Sequence, residues 1–190
     1  MVVDIETAIS RIETVTGLDF VRAPNTTDSP ERDPVDAAGN AKPVIIGLGT
    51  AAQFPLLGGG VVGYAGPYYS RSWNAARFSA QLATGKVVFD IADAAQFSPG
   101  FGTGTAFGKV VLHELGHLIG LGHVNNLDEI MNPILDLDRA GAFGAGDTLG
   151  LQLLYQTQDC PASNGTFRLA ARAVEVPDFG NRQGTFVEAQ

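Results

Sequence analysis

Cysteine is nearly absent from this chain of 190 residues, which contains only Cys160. No disulfide can form within the chain, so cysteine usage does not indicate a compartment. Basic residues are also few: 12 lysines and arginines stand against 20 aspartates and glutamates, giving a formal net charge of −8. This acidity argues against nucleic acid and anionic membranes as partners. No apolar run is long enough to cross a bilayer, so membrane insertion is not expected.

Histidine is scarce, yet its placement is the most informative feature of the sequence. All 3 histidines lie in residues 113–123, in the pattern H-E-x-x-H-x-x-G-x-x-H. On a helix, His113 and His117 lie on one face a turn apart, where both imidazoles can bind one Zn²⁺. Gly120 lets the chain leave the helix in a conformation that other residues resist, and the turn then brings in His123 as a third ligand. Three protein ligands leave a fourth position for water, which is typical of catalytic zinc sites.

Chance occurrence on a buried helix is the alternative explanation for a short H-E-x-x-H motif. The longer pattern favours a metal site, because core packing does not require every histidine of a chain to lie within one short segment. Glu114 directly follows the first ligand, where its carboxylate can reach a metal-bound water without ligating the metal. We therefore predict one catalytic Zn²⁺ held by His113, His117 and His123, with Glu114 as the catalytic residue.

Met131 lies eight residues after His123, in the run Ile-Met-Asn-Pro at 130–133. Together with the long histidine motif, this run resembles the metzincin zinc endopeptidases and, within them, the matrixins. In that clan a tight turn with a methionine lies beneath the zinc ligands, and the resemblance implies this supporting role for Met131. Pro133 strengthens the match and, like Gly120, is predicted to support the site. The alternative is that Met131 only fills a gap in the core.

The resemblance covers about Ile5 to Tyr155 and implies an α+β zincin fold. A twisted mixed β-sheet of about four to five strands is expected, with an antiparallel edge strand, an active-site helix, a Met-turn and a C-terminal helix. Residues 1–157 would form the catalytic domain, and residues 158–190 a C-terminal extension that is either packed on the domain or mobile. The resemblance also implies a secreted or extracellular monomer, although the first residues do not read as a signal peptide.

Three helices are predicted from apolar periodicity. Residues from Ile5 to Val15 repeat at helical spacing, and Asp4 could cap this first helix. The active-site helix is expected to begin at Thr103 or Thr105, since either hydroxyl could cap it. A final helix is predicted over about 148–156.

Apolar runs predict the strands, which we assign to residues 18–23, 43–50, 60–67 and 86–93, with a loop or short helical turn at 68–85. The glycine-rich strand at 60–67 corresponds, by the resemblance, to the edge strand above the zinc cleft, to which a substrate adds as a further strand. Small side chains let a peptide backbone approach such an unpaired edge. The alternative is that the glycines mark a bulge. The predicted substrate-contacting residues are Val61, Val62, Gly63, Tyr64 and Ala65.

Calcium is a further candidate ion. Carboxylates that could bind it lie in the loop 24–43 and near the end of the fourth strand: Asp28, Glu31, Asp33, Asp36, Asp90 and Asp93. For the loop residues, a solvated surface is the favoured explanation. The second, structural zinc of many animal matrixins needs histidines outside the catalytic motif. The chain has none there, so that site is expected to be absent.

The predicted function is a zinc-dependent endopeptidase that cleaves extended protein or peptide substrates by Glu114-assisted attack of a zinc-bound water. The segment 133–144 is expected to wall an apolar pocket for the side chain after the scissile bond, with Ile134, Leu135, Leu137 and Phe143 as its lining. Two alternatives remain: a zinc-binding protein without catalytic activity, and a zinc hydrolase that acts on a non-peptide amide.

Overall fold

The computed structural model describes residues 1–74, 77–155 and 166–171. The described helices are α1 (Val2–Thr16), α2 (Ile91–Ala94), α3 (Phe107–Leu118) and α4 (Ala145–Tyr155). The described strands are β1 (Asp19–Arg22), β2 (Val44–Gly49), β3 (Gly63–Asn74), β4 (Arg77–Asp90) and β5 (Thr166–Ala171). Cys160 and most of the predicted extension 158–190 lie outside the described residues. No helix in the described ranges is both long and apolar enough to span a bilayer.

The strands form one mixed sheet in the order β1-β5-β2-β4-β3. β2 runs parallel to β4, while β3 runs antiparallel to β4 and lies at the edge. The predicted α+β class with a mixed sheet and an antiparallel edge strand is therefore confirmed. β5 comes from the C-terminal extension and pairs in parallel with both β1 and β2, so it lies between two strands from the N-terminal part of the chain.

The prediction of a loop or helical turn at 68–85 is wrong. β3 and β4 continue through this region as one long antiparallel hairpin, with a register irregularity between Tyr68 and Tyr69. The polar and aromatic residues here suit a two-stranded ribbon, but only the cross-strand pairing shows that the strands continue. At its other end β4 stops at Asp90, not at residue 93. The Asp90 carboxylate accepts hydrogen bonds from the N–H groups of Ala92 (2.7 Å) and Asp93 (3.2 Å) and caps α2.

α1 begins at Val2, so Asp4 does not act as its predicted cap. Asp4 lies in the first turn, is buried, and accepts a hydrogen bond of 3.0 Å from the N–H of Gly100. Further along α1, the guanidinium of Arg11 lies 3.8 Å from the ring centroid of Phe101 and donates to the carbonyl of Gly141. α1 thereby holds two loops that flank the start of α3.

α3 is buried along its whole length, because it lies between the sheet and α1. Val110, Val111 and Leu112 are fully buried on this helix and belong to the main hydrophobic core with Val87 and Phe89 of β4. A helix with apolar neighbours on both sides is held rigidly, because burial of each large apolar side chain stabilises it by about 1.5–3 kcal/mol. Side chains that α3 presents to the cleft are therefore fixed in position.

Candidate metal centre

The first turn of α3 is capped by main-chain carbonyls and not by a threonine. The helix begins at Phe107, later than the predicted Thr103 or Thr105, and it has no side-chain cap. The N–H of Phe107 donates to the carbonyl of Ser98 (2.8 Å), and that of Gly108 donates to the carbonyl of Gly100 (2.8 Å). These bonds satisfy donors that a threonine hydroxyl would otherwise have served.

The chain leaves α3 through a turn that only Gly120 can form without strain. Gly120 has φ 104°, in the region that favours glycine. The N–H of Gly120 donates to the carbonyl of His117 (3.0 Å), and that of Leu121 donates to the carbonyl of Gly116 (3.0 Å). The reversal leads the chain back to the histidine cluster at His123, which is the local geometry predicted from the motif.

The Nε2 atoms of His113, His117 and His123 converge on one point. The three separations are 3.1 Å (His113–His117), 3.2 Å (His113–His123) and 3.0 Å (His117–His123). A tetrahedral Zn²⁺ with bonds of about 2.0–2.1 Å separates its ligand nitrogens by about 3.3–3.4 Å, so the spacing fits zinc after a small expansion. Among the described residues, this is the one group of three or more His, Cys, Asp or Glu side chains arranged to hold a metal ion.

Main-chain carbonyls orient two of these imidazoles. Nδ1 of His113 lies 2.7 Å from the carbonyl oxygen of Ile130, and Nδ1 of His117 lies 2.8 Å from that of Leu121. A carbonyl can only accept, so each Nδ1 bears the proton and each Nε2 presents its lone pair to a metal. Burial, and then the charges of His117 and His123, lower the pKa of His113 to about 3, which keeps this imidazole neutral, as a ligand must be.

Glu114 directly follows His113 in α3 and is buried. Both of its carboxylate oxygens lack a hydrogen bond among the described residues, and burial raises the pKa of Glu114 well above its ordinary value. Its side chain passes close to the edge strand, because a Cβ at Gly63 of β3 would lie 3.1 Å from Cγ of Glu114. An unpartnered buried carboxylate is costly. Its presence here fits a metal centre whose water it would contact.

Met131 packs beneath α3 against Gly116, which is not one of the fixed positions of the histidine motif. Met131 is 1% exposed, and a Cβ at Gly116 would come within 2.4 Å of its Sδ. The carbonyl of Met131 accepts a hydrogen bond from the N–H of Val124, next to His123 (3.1 Å). Met131 thus contacts the elements on both sides of the histidine cluster, and its supporting role stays a prediction. Pro133 follows it and is partly buried.

Substitution of Gly116 by alanine should weaken zinc retention and lower the melting temperature. Overpacking a filled core costs about 1–3 kcal/mol, more than the roughly 1 kcal/mol that alanine adds to helix propensity. Gly102→Ala is the matched control, because a Cβ there would meet no atom within 4 Å. Zinc content after dialysis and thermal unfolding of both variants would test this. Equal zinc retention and equal melting temperatures in the two variants would contradict it.

The predicted edge-strand residues divide between strand and loop. Gly63, Tyr64 and Ala65 lie in β3, whereas Val61 and Val62 precede it, and all five are buried. A cavity of about 220 Å³ separates β3 from the end of α3. It is lined by Ala65, Pro67 and Tyr69 on one side and by His117 and residues 120–122 on the other. The edge strand and the histidine cluster therefore face each other across one cleft.

The wall segment 133–144 differs from its prediction. Ile134 is 63% exposed and Leu137 is 42% exposed. A cavity of about 80 Å³ lies between α3 and this segment, and charged groups line it in addition to apolar ones. The charged lining residues are Lys109, Asp128, Glu129, Asp136 and Arg139. Of the four expected lining residues, Ile134, Leu135 and Phe143 line this cavity and Leu137 does not. The charged residues make its lining mixed and not apolar.

The calcium candidates bond mainly to the protein itself. Asp28 pairs with Arg32, and the Asp36 carboxylate accepts from the N–H groups of Ala38 (2.9 Å) and Asn40 (2.8 Å). Glu31 accepts from the hydroxyl of Tyr64 and the ammonium of Lys86. These two contacts of Glu31 attach the loop 24–43 to the β3–β4 hairpin. Calcium stays a prediction.

The fold and the arrangement of the site together indicate a class of protein. A buried helix presents two histidines and a glutamate, a glycine turn returns a third histidine, and a methionine lies below, which is the arrangement of the metzincins. The family model of the matrixins matches residues 71–156. The match supports a matrixin-like metzincin catalytic domain, as the sequence motif predicted, and indicates a zinc metallopeptidase. No curated protein matches the sequence.

Proposed function

We propose that the protein is a zinc-dependent endopeptidase whose substrate is an extended stretch of polypeptide. The observation that best supports this is the Glu114 carboxylate, which is buried without a hydrogen-bond partner among the described residues, on the helix that bears two of three converging histidines. A site that only stored zinc would not need this carboxylate, because the three histidines suffice to hold the ion. The family match supports the same conclusion independently of the geometry.

In the proposed reaction, His113, His117 and His123 would hold the ion. Bound zinc supplies an acidified water and polarises the carbonyl of the scissile bond. Glu114 accepts a proton from the attacking water and then delivers it to the departing amine. Burial raises the pKa of Glu114, and a carboxyl group with a raised pKa can deliver a proton as well as accept one.

The substrate is proposed to bind along the outer edge of β3. In the described part of the chain, β3 has a strand neighbour only on the side of β4, so its other edge can accept a further strand. The cavity between β3 and His117 gives room for substrate side chains there. An extended backbone, rather than a small amide, fills such an edge. Val61 and Val62 would position the start of this strand.

We further propose that the enzyme acts as a monomer outside the cell, as matrixins typically do. The formal net charge of −8 favours solubility and polypeptide segments that are basic or neutral.

The test is cleavage of an unstructured protein by the chain loaded with one equivalent of zinc. Internal fragments, identified by mass spectrometry, are expected from the zinc-loaded protein, and a chelator should abolish them until zinc is restored. Zinc binding without any cleavage would favour a non-catalytic zinc protein. Turnover of small amides with no peptide cleavage would favour the non-peptide hydrolase. Either result would overturn the proposal.

A further inference from the structure

Tyr64 is a buried tyrosine near the start of the strand that borders the cleft. It is 1% exposed, and it lies in β3 between Gly63 and Gly66, which have no side chains to pack. A strand segment with several glycines is weakly held, because glycine loses more freedom on folding than any other residue. Tyr64 is the one large side chain in residues 63–66. The position of this part of β3 therefore depends on how Tyr64 is held.

The side chain of Tyr64 packs on the face of the sheet opposite the histidine cluster. Successive side chains of a strand point to opposite faces. Ala65 belongs to the main core and lines the cavity beside His117, whereas Tyr64 belongs to a second, smaller apolar cluster. The members of that cluster are Phe54, Leu57, Val61, Tyr64 and Val88. Groups that hold Tyr64 thus act on β3 from behind, away from the cleft.

The hydroxyl of Tyr64 finds its hydrogen-bond partner in the loop 24–43. It donates to Oε1 of Glu31, which lies 33 residues earlier in the chain. Burial, and then the bond to Glu31, raise the pKa of Tyr64 above its ordinary value, so the hydroxyl keeps the proton that it donates. Burial acts to raise the pKa of Glu31, but hydrogen bonds from Lys86 and Tyr64 outweigh it and lower this pKa. The acceptor is therefore an ionised carboxylate, which makes the bond stronger than a neutral one.

A second contact joins Glu31 to the neighbouring strand. Oε2 of Glu31 pairs with Nζ of Lys86 in β4. Lys86 lies opposite Gly66 in the register of the hairpin, and its Nζ is 5.5 Å from the centroid of the Tyr64 ring. Both partners of this ion pair are partly exposed, so it contributes little by itself. The hydrogen bond to the buried Tyr64 is the contact that fixes the edge strand.

The loop 24–43 holds Glu31 in place for this contact. Pro30, which precedes Glu31, is buried, and the guanidinium of Arg32, which follows it, donates to the carbonyl of Pro43 (2.8 Å) beside β2. An antiparallel bridge between Val35 and Ala41 closes the far end of the loop. Both sequence neighbours of Glu31 are thus anchored. Its carboxylate is arranged before it meets Tyr64, which lowers the entropic cost of the bond.

We propose that Glu31 is a positioning residue for the substrate, because its bond to Tyr64 fixes the edge strand β3 from the face opposite the histidine cluster. This inference rests on the proposed peptidase function, in which an extended substrate pairs with the outer edge of β3. A loosely held edge strand must be ordered when the substrate binds, and that ordering weakens binding. Loss of Glu31 should therefore weaken substrate binding and leave the chemical step unchanged.

The test compares kcat and KM of Glu31→Ala and Tyr64→Phe with those of the wild type, on a peptide that extends well to both sides of the scissile bond. Each change is expected to raise KM about fivefold, the worth of one ordinary hydrogen bond, and to keep kcat within about twofold. Glu31→Gln keeps an acceptor for the Tyr64 hydroxyl and should raise KM less than Glu31→Ala does.

The double variant shows whether Glu31 acts through Tyr64. If it does, Glu31→Ala combined with Tyr64→Phe should raise KM no more than either single change, because both remove the same bond. Amide hydrogen exchange of residues 63–69 is a second readout that does not require activity. Exchange there should be faster in both single variants than in the wild type.

Glu6→Ala is the matched control, because Glu6 also pairs with a cation, Arg22, and its side chain is 55% exposed against 46% for Glu31. It should leave KM and the exchange of residues 63–69 unchanged. Zinc content and melting temperature identify a variant that fails to fold, and Tyr64→Phe then decides. Unchanged KM or unchanged exchange in a folded, zinc-loaded variant would overturn the inference, as would additive effects in the double variant. If the wild type cleaves no peptide, the proposed function itself is wrong.

Discussion

A Glu114→Gln variant should bind zinc as the wild type does and lose about 10²–10⁴-fold in kcat, the usual contribution of a positioned general base. The amide has nearly the same shape as the carboxylate, so it fits the space beside Gly63, but it cannot accept the proton of the attacking water. The change also removes a buried acid without a polar partner. The variant should therefore be at least as stable as the wild type.

The control for this experiment is Glu6→Gln. Glu6 is an exposed residue of α1 whose carboxylate pairs with Arg22 at the surface. An exposed pair of this kind contributes about 0–1 kcal/mol, so the control should differ little in activity or stability. The measurements are kcat on a cleaved peptide, zinc per chain and the melting temperature. Wild-type kcat in a zinc-loaded Glu114→Gln protein would show that Glu114 is not the base.

The arrangement of the three histidines could be predicted from sequence because its geometry is local. Helical spacing places His113 beside His117, and one glycine turn returns His123, all within eleven consecutive residues. The role of Met131 needed the family pattern, since a lone methionine has no spacing signal of its own. Gly116 was missed, although a glycine in the middle of a buried helix costs about 1 kcal/mol and therefore suggests a close contact.

The parts of the structure that the sequence did not predict depend on pairing between distant segments. The β3–β4 hairpin could not be predicted as continuous, because residues 68–85 lack a clear alternation of polar and apolar residues. Its register is set by pairing across the two strands. Lys109 looks like any helical lysine until Gly104 and Asp136, from two separate loops, surround its ammonium group. The attachment of Glu31 to Tyr64 and Lys86 likewise joins segments far apart in the chain.

β5 is the most distant of these pairings, and it conflicts with treating residues 158–190 as a dispensable addition. β5 fills the position between β1 and β2, with four register pairs to β1 and three to β2. β1 has no other strand neighbour in the described sheet. The boundary at residue 157 remains a proposal, but a domain cut there would lose a strand from inside its sheet.

A chain of residues 1–157 should consequently be much less stable than the full chain. Loss of the β5 ladder removes main-chain hydrogen bonds worth on the order of 5 kcal/mol in total, comparable to the whole stability of an ordinary domain. It also leaves the edges of β1 and β2 unpaired, which favours aggregation. A chain of residues 1–171 keeps β5 and is the matched control. Urea unfolding and size-exclusion chromatography of the three chains would measure the effect. If 1–157 unfolds at the same urea concentration as 1–171 and stays monomeric, β5 is not required to complete the sheet.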